Sequence, residues 1–182
     1  RTFDINDITS PEILEEAVEH FLSEIETKDY FIKETHQYTL CLSENFYGPY
    51  DKWIRVGWAL KNTHESLFIT WIAFSAQSDK FDYDKIPEFY EMWCRFDRCN
   101  DDGLTFRSIM YWAKNDNLKK YIEVREETID YFVDKTIENQ TDFDFALVLY
   151  HMYKDDYVCV SIKKDIWYIY MNHRWEENEG GT

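Results

Sequence analysis

The sequence predicts a mainly α-helical fold: a compact aromatic-rich helical domain, followed by the beginning of a small α+β segment with a β-hairpin. Three observations carry this. Apolar residues recur at three- and four-residue spacing along most of the chain. Aromatics make up 19% of the 182 residues, with seven Trp, fourteen Tyr and thirteen Phe, enough bulk to build a core. Only after residue 156 does the pattern turn to short β-branched and aromatic runs.

Each element follows in order. Residues 1–10 are mixed and partly extended. Ser10-Pro11-Glu12 is a helix start, with a capping hydroxyl, Pro at the first helical position and an acid in the first turn. Ile13, Leu14, Ala17, Val18, Phe21, Leu22 and Ile25 then form an apolar stripe over about sixteen residues. Glu12, Glu15, Glu16, Glu19, Glu24 and Glu26 fill most of the other face. His36 to Leu42 is short and ambiguous between helix and strand. Gly48-Pro49 marks a turn. From Asp51, residues Trp53, Ile54, Val56, Gly57 and Leu60 give a wide helical stripe that Asn62-Thr63 ends.

Ser66 to Ala76 reads as one strongly apolar helix, and Pro87 to Phe96 as another. Asp101-Asp102-Gly103 is a turn, and Thr105 caps a helix carrying Phe106, Ile109, Met110, Trp112 and Ala113. A shorter helix starts at Asp116 or Asn117, with Leu118, Tyr121 and Ile122. A further one covers Glu126 to Ile137, with Ile129, Phe132 and Val133. Asp142 to Met152 is the last helix. Tyr157–Ile162 and Ile166–Tyr170 are then the strands of a hairpin turning at Lys163-Lys164-Asp165. The domain expectation is an acidic helix and linker over 1–35, a helical domain over 36–137, and the start of an α+β domain over 138–182.

Composition excludes several classes. A chain this rich in bulky apolar groups is not intrinsically disordered. Five Gly and three Pro exclude collagen-like or linker-rich architecture. There is no run of about eighteen apolar residues, so no membrane partner is expected. Twenty basic residues against thirty-six acidic ones leave a net charge of −16 and a pI of about 4.6. Such a surface repels polyanions as a whole, although salt screens distant charge and a local basic patch can still act. The ordinary reading of the acidity is solubility; the sharper one is docking onto basic partners. Cys41, Cys94, Cys99 and Cys159 have no CxxC or zinc spacing, so reduced thiols and an intracellular compartment are expected. The chain opens on Arg1 and closes on Gly180-Gly181-Thr182, which reads as a piece of a larger polypeptide.

Chemistry-bearing motifs are few. No GxxxxGK[ST] or GxGxxG loop occurs, so no cofactor is expected in this chain. Asp82/Asp84 and Asp142/Asp144 are Asp-x-Asp pairs of the kind that hold Mg²⁺ when placed on a strand. The first falls in a loop and the second at a helix start, where turn and capping roles are the plainer reading. His20, His36, His64, His151 and His173 are scattered and unpaired. Basic residues gather at Arg95/Arg98, at Lys114, Lys119 and Lys120 with Arg107 one helix upstream, and at Lys163/Lys164. The second group is the nucleic-acid candidate: Arg107, Lys114, Lys119 and Lys120.

Four blocks carry a family resemblance. They are Tyr50-Asp51-Lys52-Trp53-Ile54-Arg55-Val56-Gly57-Trp58-Ala59-Leu60-Lys61, Trp71-Ile72-Ala73-Phe74-Ser75, Trp93-Cys94-Arg95-Phe96, and Leu104-Thr105-Phe106-Arg107-Ser108-Ile109 running on to Trp112-Ala113-Lys114. In this order they resemble the second type of primase C-terminal domain, found in large DNA viruses and mobile elements. The tail, with Phe145-Ala146, Ile166-Trp167-Tyr168-Ile169-Tyr170 and His173-Arg174-Trp175, resembles the domain before the helicase in poxvirus-type primase–helicases. The resemblance covers about residues 36–182.

It implies a non-catalytic connector between a primase and an AAA+ superfamily 3 helicase on one polypeptide, guiding single-stranded template or primer. Trp53, Gly57, Leu60, Trp71, Trp93 and Trp112 are then core residues. Implied partners are the flanking primase and helicase domains, single-stranded DNA and other replication proteins. Mg²⁺ and ATP belong to the parent polypeptide, and the host cytoplasm or nucleus is the implied site. The alternative is an acidic interaction module that docks basic partners or mimics DNA.

Overall fold

Helix α5 (Phe68–Ser75) shows most directly how the sequence builds the fold. Its eight residues, FITWIAFS, are apolar almost all round. A helix with no polar face has to be buried, and Phe68, Thr70, Trp71, Ile72, Phe74 and Ser75 are. Four helices pack around it: α1 (Pro11–Ser23), α2 (Tyr30–Leu40), α4 (Tyr50–Thr63) and α6 (Ile86–Arg95). The computed structural model describes residues 4–96, 103–171 and 174–178. The chain divides into two units, 1–124 and 125–182.

In the first unit, a 3-10 turn (Ile5–Asp7) leads to α1. Ser10 caps α1, its Oγ accepting from the Ile13 backbone N at 3.4 Å, with Pro11 at the first position. The helix buries Leu14 and Ala17 and leaves its glutamates exposed. Residues 36–42, ambiguous in the sequence, lie mostly in α2. Threonines there satisfy their hydroxyls inside the helix: Thr35 Oγ1 donates to the Phe31 carbonyl at 2.6 Å and Thr39 Oγ1 to that of Thr35 at 2.7 Å. That bond lets a β-branched polar residue sit buried in a helix. The short α3 (Glu44–Tyr47) precedes α4. The expected helix over 66–76 begins later, because a 3-10 turn (Glu65–Leu67) takes its first residues. After α6 comes α7 (Phe106–Asp116), where Thr105 and Ser108 form a reciprocal capping box. Residues 101–102 of the expected turn lie outside the described residues, as do Arg98, Cys99 and His173; Gly103 has φ +66°.

The two helices expected over 116–137 are one, α8 (Leu118–Asn139). No Gly or Pro interrupts this stretch. Its buried positions are Tyr121, Val124, Thr128, Phe132 and Thr136, a single face at three- and four-residue spacing. Two threonines stand on that face, and the flanking Ile122 and Ile137 are exposed. The apolar pattern thus picks out Tyr121 and Phe132 on the buried face and passes over Thr128 and Thr136, which share it.

The second unit holds the rest of α8, α9 (Asp142–Tyr153) and a three-stranded antiparallel sheet in the order β1-β2-β3. Thr141 caps α9, accepting from Asp144 N at 3.2 Å. The expected hairpin is present as β1 (Tyr157–Ser161) and β2 (Ile166–Met171), with Asp165 at φ +50° in the turn. A third strand, β3 (Arg174–Asn178), pairs Trp175 with Tyr170. Its sequence, RWEEN, carries little strand propensity, so the pattern of residues does not announce it. Phe132 stacks on His151 at 4.2 Å. No helix among the described residues is long and apolar enough to cross a membrane.

Candidate nucleic-acid interface

The first unit is centred on stacked indoles. Trp71 and Trp93 are fully buried, with Leu60 beside them in the core. Trp53 is half-buried and stacks on Trp71 at 4.7 Å. Its Nε1 donates to Ser75 Oγ at 2.7 Å, and Ser75 Oγ donates in turn to the Trp71 carbonyl at 2.7 Å. Gly57 lies against this cluster: a Cβ there would stand 2.8 Å from Trp71 Cε2 and 3.0 Å from Phe96 Cε2. The missing side chain is what lets α4 approach the indole. Trp71 Nε1 finds no acceptor among the described residues. Trp112 is half-buried on α7. Six aromatic-block residues thus form or border the core rather than an open cleft.

Above this core, α4 packs on α7. The ends of α7 are pinned. Asn62 Nδ2 donates to the Leu104 carbonyl at 3.1 Å near its start. At its end, Asp116 accepts from Ser43 N at 2.7 Å, Ser43 Oγ at 3.1 Å and Asn45 Nδ2 at 3.2 Å. Partial burial works to raise the Asp116 carboxyl. The Ser43 and Asn45 hydrogen bonds and the nearby Lys52 charge outweigh it and hold the group below the usual aspartate range.

Four cations stand on these two helices, each over an aromatic ring. Lys52 Nζ lies 5.2 Å from the Phe46 centroid and the Arg55 guanidinium 5.5 Å from that of Trp112. Arg107 lies 5.9 Å from the Phe106 ring and Lys114 5.9 Å from the Tyr121 ring. Phe46 and Trp112 are themselves 5.7 Å apart.

Of the four basic residues picked from the sequence, the structure brings Arg107 and Lys114 onto the exposed side of α7. Lys119 and Lys120 lie on the first turn of α8, where Lys119 pairs with Glu123 at 3.9 Å. Lys52 and Arg55 were missed. They sit inside the Tyr50–Lys61 block, and no local spacing marked them, because their ring partners Phe46 and Trp112 lie on other helices.

The remaining candidates have ordinary roles. Asp82 Oδ1 accepts from Asp84 N at 3.1 Å and caps a 3-10 turn (Tyr83–Lys85). Asp144 bonds the Thr141 hydroxyl at the α9 cap. His36 is buried and shares a 2.9 Å bond with Thr70 Oγ1; burial lowers its pKa to about 4. Burial, helped by Lys154, lowers His151 to about 4 as well. His64 caps the Glu65–Leu67 turn through a 3.2 Å bond from Ser66 N. Among the described residues, no group of three His, Cys, Asp or Glu is placed to hold a metal ion.

The class defined here is an aromatic-cored helical module whose α4 and α7 carry exposed basic side chains over buried and half-buried rings. Residues 35–113 match the family described as Primase C terminal 2 (PriCT-2), and that stretch is a primase C-terminal domain of the second type. Among curated relatives, the chain is 32% identical over 156 residues to "Putative helicase L207/L206" of Acanthamoeba polyphaga mimivirus, covering 81% of this chain and 16% of the relative. It is 27% identical over 161 residues to "Putative helicase 022R" of Frog virus 3, covering 86% of this chain and 15% of the relative. The chain therefore spans about one-sixth of the length of these relatives.

Proposed function

We propose that this chain is the connector of a replicative primase–helicase of a large DNA virus, joining a primase to a ring-forming AAA+ superfamily 3 helicase. The observation that carries the reading is the primase C-terminal match over 35–113, inside relatives that bear helicase names and are about six times longer. The physics supports it. A core of stacked indoles resists bending, because close-packed interiors transmit strain rather than absorb it. Such a block keeps two modules at a fixed separation. ATP and Mg²⁺ act in the flanking modules, while basic side chains of this chain, Arg107 and Lys114 among them, guide single-stranded template or primer between them. Thiols not joined in disulfides at Cys41, Cys94 and Cys159 suit the reducing host cytoplasm or nucleus.

The test is made on the intact polypeptide. An Asp-x-Asp primase core should precede this chain and a Walker-type ATPase should follow it. Trp71→Ala in the intact protein should leave ATP hydrolysis largely in place and shorten or abolish primers laid down during unwinding. Equal loss of both activities, or unchanged primer synthesis, would count against a connecting role.

A second reading rests on α1, whose Glu12, Glu15, Glu16 and Glu19 are all exposed. That face would dock basic replication proteins or mimic DNA. Capture of a basic protein that fades as salt rises, without nucleic acid, supports it; a flat salt response rejects it.

A further inference from the structure

The four cations on α4 and α7 share a second property. In a chain with 36 acidic residues, carboxylates take up several of the described cations: Lys28, Lys61, Arg95, Lys119, Lys135 and Arg174 all have one within 4.0 Å. Among the described residues, no carboxylate comes within ion-pair distance of Lys52, Arg55, Arg107 or Lys114; rings partner them instead. A cation over a ring keeps its charge and most of its donors facing outward. One carboxylate, that of Asp116, lies near enough to feel the Lys52 charge. Asp116 is held by Ser43 and Asn45, which keeps it from capping Lys52.

On α7 the pattern becomes a platform. Arg107, Tyr111 and Lys114 stand at i, i+4 and i+7, so they form one stripe along the helix. Tyr111 is 66% exposed, so its ring is open to solvent. An exposed ring between two unpaired cations matches the two requirements of an unpaired nucleic-acid strand. The ring face takes a base, and the cations take the phosphates on either side. Duplex cannot use the ring, because its bases are already stacked.

We propose that the α4–α7 pair is a single-strand binding face, in which Lys52, Arg55, Arg107 and Lys114 take phosphates and Tyr111 stacks a base. This rests on the reading of the chain as a primase–helicase connector and names the side chains that handle the strand. It moves the contact away from Lys119 and Lys120, and it adds two residues from α4. The face reads no sequence: it offers charge and one π-surface, and every base has a π-face.

The test is fluorescence anisotropy of a fluorescein-labelled thymidylate 20-mer titrated with the 182-residue chain from 25 to 150 mM salt. Binding should weaken with salt, with a log–log slope of roughly −0.7 for each phosphate contacted. Lys52→Gln with Arg55→Gln, and separately Arg107→Gln with Lys114→Gln, should each flatten that slope by roughly 1.4. Tyr111→Ala should weaken binding about 5- to 150-fold at unchanged slope, and Tyr111→Phe should restore it. All five side chains are exposed, so the fold survives, which circular dichroism checks.

A uridylate 20-mer binding as well as thymidylate supports the face, since neither contact reads the sugar. Three outcomes overturn it: no anisotropy change at 25 mM salt; loss of binding with Lys119→Glu and Lys120→Glu but not with the α4–α7 variants; or equal binding of a 20-base-pair duplex, unaffected by Tyr111→Ala. Failure here leaves the connecting role untouched, because that role is read from coupled primer synthesis in the intact polypeptide.

Discussion

The two units treat their apolar residues in opposite ways. In the described residues up to 124, most bulky side chains turn inward: Trp71, Phe74, Ile72, Leu67 and Tyr38 are wholly buried, and one cluster runs from Ile8 to Val124. In residues 125–178, they face outward: Ile162 is 90% exposed, Phe143 70% and Val160 63%. Helix α9 leaves Phe143, Phe145, Leu149 and Tyr150 exposed, and only His151 of it is buried. A groove of about 950 Å³ in this second unit is lined by Leu149, Tyr150, Tyr153, Tyr157, Val158 and Trp167. The contrast teaches that apolar periodicity reports what a segment can bury, not what it does bury. Hydrophobic stabilisation follows area removed from water, so stability in this chain is concentrated in the first unit.

The largest expected effect tests that concentration directly. Trp71→Ala removes the central indole, which touches Trp53, Trp93, Phe68, Phe89 and Phe96. A buried Trp replaced by Ala costs about 3–5 kcal/mol. Five of the seven tryptophans lie in the first unit, so the urea midpoint of tryptophan fluorescence reads its unfolding. A shift below about 1 kcal/mol would mean the indole cluster does not hold this unit together.

Next comes acid. Burial lowers His36 to about 4, below the ordinary 6.5. The unfolded chain then binds the proton more readily than the folded one. Stability is complete above pH 6.5 and is lost as pH falls from 6.5 toward 4, by up to about 3 kcal/mol. His151 shifts the same way in the second unit. His36→Asn keeps a hydrogen-bonding partner for Thr70 without a titrating ring. Its urea midpoint should therefore change less between pH 7 and 4.5 than that of the unaltered chain. Parallel pH profiles would show that His36 is not buried uncharged.

How far the sequence could be read follows the same division. Helix α5 and the hairpin were legible because one kind of residue fills each of them: apolar all round in α5, β-branched and aromatic in β1 and β2. The unbroken α8 was not legible, because Thr128 and Thr136 hold core positions that a hydrophobic pattern does not count. In the candidate interface, Arg107 and Lys114 were visible as part of a basic cluster. Arg55 was not, because its partner Trp112 lies 57 residues away and only the packing of α4 on α7 joins them. Ring–cation pairing across two helices has no local spacing rule.

Gly57→Ala probes the same core more gently. The added methyl would meet Trp71 and Phe96 at 2.8 and 3.0 Å. Trp71 is fully buried and has nowhere to shift. Overpacking costs about 1–3 kcal/mol, and replacing a helical Gly returns about 1 kcal/mol, so a net loss of order 1 kcal/mol is expected. The urea midpoint decides the sign. A stabilised variant would show that the indole can slide and that the helices are not in close contact at this point.

The smallest effect belongs to the outward-facing unit and bears most sharply on the contrast. Val160→Ser with Ile162→Ser replaces two side chains that are already in water. Little apolar area changes hands on folding, so stability should move by less than about 0.5 kcal/mol. The dye anilinonaphthalene sulfonate, which lights up on exposed apolar surface, should bind the unaltered chain in its native state and bind this variant less. Far-UV circular dichroism during heating, rather than tryptophan fluorescence, follows the sheet here, since only Trp167 and Trp175 stand in it. A loss above 1 kcal/mol with dye binding unchanged would mean that Val160 and Ile162 are covered in solution. The second unit would then bury its apolar residues as thoroughly as the first, and the difference between the two would vanish.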